Sequence, residues 1–174
     1  MRKEAHAELL SGLMCLLSKE DQAICQKIVG RLTELQYIPQ RQKVQGYVLA
    51  FKNHQVNQTI AKIGVKGTKS KEAFYSIKFY ACKNPPEKFL AAVQRAVSST
   101  RGQYECCNCG LCGAATGERG YRCKYPENRD FIRCGAYVVE TLDLAMRDVD
   151  DLNNLLTEQH TYFSSRFSSV IEEG

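Results

Sequence analysis

The chain has no tryptophan, only three histidines, three methionines and four prolines in 174 residues. It also lacks a long apolar run. The best stretch, Leu9 to Leu17, is interrupted by Ser11 and Gly12 and falls far short of the roughly 18 to 20 residues a membrane span needs. A transmembrane helix is therefore excluded. No G-x-S-x-G, P-loop, G-x-G-x-x-G or H-E-x-x-H string occurs, so the enzyme classes those motifs mark have no footing. His6, His54 and His160 are remote from one another and from most cysteines in sequence, and no Cys–His nucleophilic pair is suggested. The start reads poorly as a leader: Glu4, His6 and Glu8 interrupt a charged region, and no small-x-small site follows Leu17. The expected setting is a reducing cytoplasm, and the sequence gives no ground to expect an enzyme.

Acidic side chains are scarce where basic ones are dense. The formal charge is +5, but it is unevenly spread. Residues 1–25 contribute −1 and residues 102–174 contribute −5, whereas residues 26–101 hold fourteen basic and three acidic side chains, +11. With 44% apolar and 25% charged residues the chain sits at globular averages, and its length suits one domain.

Hydrophobic spacing divides that domain. Leu9, Leu13, Leu16 and Leu17 form one helical stripe, and Ile24, Ile28, Leu32 and Leu35 form another after a cap at Ser18, which predicts an N-terminal helical hairpin over residues 1–38. Pro39 is expected to stop it. Alternation then predicts three strands around Tyr47–Phe51, Ala61–Val65 and Tyr75–Ala81, and Asn84-Pro85-Pro86-Glu87 reads as a helix start with Phe89, Leu90, Val93, Ala96 and Val97 on its buried face. These make a basic βββα unit over residues 43–100. Residues 101–140 read as a cysteine-rich loop followed by a hairpin, Tyr121–Tyr125 and Arg129–Val138, and residues 146–165 as a C-terminal helix. The order αα-βββ-α-loop-ββ-α predicts an α+β fold, two-layered, with a mainly antiparallel sheet and helices on one face.

Nine cysteines are present, and six of them fall between Cys106 and Cys134. The run Cys106-Cys-Asn-Cys109-Gly-Leu-Cys112 holds C-x2-C twice. A tight turn between two such cysteines aims both sulfurs into one concavity, and the glycines after Cys109 and Cys112 ease that turn. A tetrahedral ion needs a fourth ligand. Cys134, itself followed by glycine, is the expected one, with Cys123 as its substitute. Zinc held by Cys106, Cys109, Cys112 and Cys134 would be structural, since four thiolates leave no open position. The same string resembles the first three cysteines of a bacterial ferredoxin cluster motif over seven residues, although Thr116 stands where the fourth cysteine would be. That resemblance implies a 4Fe-4S cluster as the alternative cofactor, or a redox protein working through Cys106, Cys109 and Cys112. The spacing is also compatible with a loop that binds no metal and with one closed by disulfides.

The lysines of the strand unit supply the second candidate site. Lys62, Lys66, Lys69, Lys71 and Lys78, with Tyr80 among them, would present charge and an aromatic ring on the outer sheet face, the composition that holds phosphates and stacks bases. The simpler explanation is a solubilising outer face. The functional expectation is a non-catalytic binding or regulatory module with a zinc-pinned loop and a surface for an anionic ligand or nucleic acid. A metal-free small-molecule sensor is the competing expectation, and the opposed basic and acidic regions would permit a homo-oligomer.

Overall fold

The computed structural model describes residues 2–67, 72–100, 103–107, 120–124 and 129–172. The N-terminal hairpin is there: α1 spans Arg2–Met14 and α2 spans Lys19–Glu34. Ser18 caps α2 as its position predicts, its Oγ accepting from the Asp21 amide at 3.1 Å. The stripe of Ile24, Ile28 and Leu32 is buried, together with Leu13 of α1. Burying side chains of that size contributes about 1.5–3 kcal/mol each.

The chain turns through Gln36, whose φ is 61°, and enters a strand that hydrophobic alternation does not reveal. That strand, β1 (Ile38–Arg41), contains Pro39 and pairs antiparallel with β2 (Tyr47–Asn53). The proline therefore stops the helix but not regular structure. β2 pairs with β3 (Gln58–Lys66), β3 with β4 (Glu72–Ile77), and β4 with a short strand β7 (Val139–Thr141), all antiparallel. The sheet order is β1-β2-β3-β4-β7. Two further strands, β5 (Gly120–Lys124) and β6 (Asp130–Cys134), form a separate hairpin. The strand expected over Arg129–Val138 is thus shorter: β6 ends at Cys134, and the chain crosses to the main sheet, where β7 begins at Val139.

Helix α3 runs Glu87–Ser99. Pro86 occupies its cap position and no side chain caps it, so the Asn84 expected as the cap, with proline as the first helical residue, lies two positions too early. Leu90, expected in the core, is 47% exposed, while Ala92 is buried in its place. A 3-10 turn, Met146–Asp148, leads into α4, Val149–Glu172. Lys88 ties α3 to this entrance, its Nζ lying 2.5 Å from Asp148 Oδ2.

The two sheet faces meet different partners. Tyr47, Leu49 and Phe51 of β2, Ala61, Ile63 and Val65 of β3, and Tyr75 and Ile77 of β4 share one face by register. That face carries the helical layer: Tyr47 Oη donates to Leu9 O in α1, and Tyr75 Oη to Asp21 O in α2. The opposite face carries Gln40, Ala50, Lys62, Ser76 and Glu140 in one cross-strand row. It is flanked by α3 and the β5–β6 hairpin. Gly64 belongs to this face, where a Cβ would stand 2.4 Å from Tyr47 O and 2.8 Å from the Phe74 ring, so no larger residue fits without displacing the strand.

A bulge adjusts the end of β2 and β3. Phe51 lies opposite Ala61, but Lys52 lies opposite Thr59, so Ile60 is an extra residue. Ile60 and Ala61 are both fully buried as a result. Lys52 and Thr59 are thereby returned to the face that carries Lys62. The loop beyond is closed by Asn53, whose Oδ1 accepts from the Gln55 amide at 2.8 Å.

Candidate anion-binding groove

On that second face, between the sheet and Tyr104, Arg133 and residues 136–138, lies a groove with a cavity volume of about 570 Å³. Lys52, Lys62 and Lys78 come from β2, β3 and the extension of β4, and Arg133 comes from β6. Among the described residues no aspartate or glutamate lines the groove. Amide side chains of Gln40, Gln42 and Gln58 line the sheet side, and the rings of Tyr104 and Tyr137 form the far wall. The volume falls within the range of small-molecule sites, about 300–1,000 Å³.

Two of the four cations are buried. Lys78 is 7% exposed and Arg133 is 6% exposed. Glu105 would be the natural partner for Arg133, since the two residues bridge antiparallel. Instead the Glu105 carboxylate pairs with Arg129 at 3.3 Å. Arg133 Nε and Nη1 are buried and make no hydrogen bond among the described residues. The Arg133 guanidinium carbon stands 5.2 Å from the Tyr104 ring centroid, a cation–π contact that does not supply its N–H groups with a hydrogen-bond acceptor. An unpaired buried cation is expensive unless an anion completes it.

The wall that holds Arg133 is built by backbone pairing of residues 104–106 on β6. Cys106 N–H donates to Ile132 O at 2.8 Å, and Cys134 N–H to Tyr104 O at 2.7 Å. Tyr104 adopts a φ of 69°, a left-handed conformation that costs a non-glycine residue of order 1 kcal/mol or more. These two hydrogen bonds hold it there.

The lysines predicted from sequence separate into groups. Lys62 and Lys78 line the groove. Lys66 does not; it pairs with Glu140 and lies 4.7 Å above the Phe74 ring. Lys69 and Lys71 lie outside the described residues. Tyr80 belongs to an aromatic cluster with Tyr121, Tyr162 and Phe163, at centroid distances of 6.1, 5.8 and 6.2 Å, and is not part of the groove lining. Arg133, Tyr104 and Tyr137 were not anticipated, because they are more than 25 residues from the basic strands and only the tertiary fold brings them across.

Of the cysteine ligands proposed from spacing, Cys109 and Cys112 lie outside the described residues. Among the described residues no group of three or more His, Cys, Asp or Glu side chains is placed to hold a metal ion. Cys106 and Cys134 are described, and alternation puts both on one face of the hairpin: residue 106 lies opposite Ile132, whose neighbour on that face is Cys134. Cys123 lies opposite Phe131 on the other face, where burial raises its thiol above the ordinary range against the opposing pull of Arg133. The alternation therefore separates Cys123 from the other two.

Comparison with known protein families, curated proteins and solved structures returns no match for this chain. The groove must be interpreted from its own chemistry.

Proposed function

We propose that the chain is a binding module for a phosphate-bearing ligand, held in the groove by Lys52, Lys62, Lys78 and Arg133. The observation that supports this reading most is Arg133: a residue 6% exposed, with two guanidinium nitrogens unpartnered among the described residues, in a groove whose described lining holds three lysines and no carboxylate. Solubility accounts for exposed lysines but not for a buried arginine without an acceptor. Phosphate oxygens would satisfy its N–H groups, and charge-assisted hydrogen bonds of this type are the stronger kind.

The same reading includes one structural zinc ion held by Cys106, Cys109, Cys112 and Cys134. Its support is the shared face of Cys106 and Cys134 and the C-x2-C spacing of the segment between them. Cys106 and Cys134 also border the two hydrogen bonds that seat Tyr104 and Arg133, so a metal there would stabilise the groove wall.

Calorimetric titration with pyrophosphate at low and high salt tests the first half. Binding that weakens as salt rises, and weakens further in Lys62→Gln, is expected; no heat at either salt concentration would reject the groove as an anion site. Elemental analysis of freshly purified protein tests the second. One zinc per chain is expected, a brown protein with iron and sulfide would replace zinc by the 4Fe-4S alternative, and metal-free protein would remove the metal site altogether.

A further inference from the structure

Three kinds of side chain converge on the groove, and a simple inorganic anion would use only one of them. The four cations answer a phosphate. Gln40, Gln42 and Gln58 supply amides that both donate and accept, the capacity that sugar hydroxyls and heterocycle edges require. Tyr104 and Tyr137 are adjacent rings, 4.4 Å between centroids, yet they are 41% and 46% exposed. They are two of only five large apolar side chains exposed to this degree among the described residues. Paired aromatics left open to solvent beside buried cations form a stacking surface. The Tyr104 backbone is held in its left-handed conformation by the hydrogen bonds on either side of it.

We infer that the ligand is a mononucleotide, its phosphate held by Arg133 and the lysines and its base laid against the Tyr104–Tyr137 pair; this rests on the phosphate-binding reading above. The neighbouring cavity on the other side of Arg133 does not compete for the phosphate, because it contains the carboxylate of Glu140, already paired with Lys66. The cavity volume of about 570 Å³ suits one nucleotide better than a chain of them.

Adenosine monophosphate and ribose phosphate carry the same charged group and differ by the base, so their titration against the full chain separates stacking from charge. Stacking on an aromatic ring is worth about 1–3 kcal/mol, which converts to tighter binding of the nucleotide by about 5- to 150-fold. Tyr137→Leu, which leaves Arg133 and its contact with Tyr104 in place, should erase most of that ratio while ribose phosphate binds as before. Tyr104→Leu should do the same and lower both affinities slightly through Arg133. Equal binding of nucleotide and ribose phosphate by the unaltered chain would overturn the nucleotide assignment and leave the phosphate site standing. Failure of both to bind would overturn the phosphate site and this inference with it. A single-stranded oligonucleotide binding many-fold more tightly than the mononucleotide would overturn the mononucleotide in favour of a nucleic-acid chain.

Discussion

Arg133→Met separates a side chain kept for ligand from one kept for stability. Methionine preserves most of the arginine stem's volume and removes the guanidinium, with its two buried, unpartnered nitrogens. A buried donor left unsatisfied costs about 1–3 kcal/mol. Against its removal stands the lost contact with the Tyr104 ring at 5.2 Å, of about 0.5–2 kcal/mol. The net expectation is a gain of about 1 kcal/mol in the ligand-free protein, which for a chain of this length raises Tm by about 2–4 °C. Pyrophosphate affinity should move the other way. Hydrogen bonds to charged groups contribute about 1.5–3 kcal/mol, so Kd should rise roughly ten- to a hundredfold. Thermal unfolding followed by circular dichroism and titration calorimetry on the same preparation read the two effects. A Tm lowered by several degrees with unchanged affinity would refute the reasoning, because it would mean that the guanidinium is satisfied within the fold.

His160 gives a pH-dependent contribution to stability. Burial first, and Arg31 second, lower its pKa from the usual imidazole value of about 6.5, so the unfolded chain binds the proton more readily. Its contribution is present above about pH 6.5 and is lost as pH falls through the folded value. Tm should therefore fall between neutral and mildly acidic pH, and His160→Gln should flatten that part of the profile; an identical slope in the variant would contradict the assignment. Thiol reactivity should divide the cysteines. The thiols of Cys25 and Cys82 are pushed up to about 12, by burial first and then by Asp21 and Glu158 respectively, whereas Cys15 and Cys107 are exposed. Mass spectrometry after brief alkylation near pH 8 should find Cys15 modified well before Cys25 and Cys82, and equal rates would disprove the burial argument.

Local chemistry was legible in the sequence where it acts over a few residues. Ser18 is a cap because a hydroxyl and an acid stand three apart, and the helical stripes and central strands follow from spacing. The failures are of another kind. Pro39 signals the end of a helix, but only pairing with Phe51 makes its surroundings a strand. Alternation suggests a helix-facing and a water-facing side for β2, yet Val48 and Ala50 are also buried, because elements far along the chain flank the second face. The proposed anion site divides in the same way. Charge density pointed to the strand unit and to Lys62 and Lys78. It could not supply Arg133, which the fold brings across from β6 and whose bridge partner Glu105 pairs with Arg129 instead.

The borders of the five-stranded sheet limit how another polypeptide could join it. At one border, Gln42 N–H donates to Val48 O, so alternation along β1 makes Pro39 and Phe51 a non-hydrogen-bonded pair and turns the proline nitrogen outward. The outermost row thus lacks a donor in the middle of a four-residue strand. At the other border β7 is three residues long. Neither offers the continuous ladder on which an added strand would zip, the route by which many sheets recruit peptides or aggregate. Recognition by main-chain pairing is thereby discouraged at both ends. Encounters with other molecules are left to side chains, and in the proposed groove to a handful of charges and rings that single substitutions can alter one at a time.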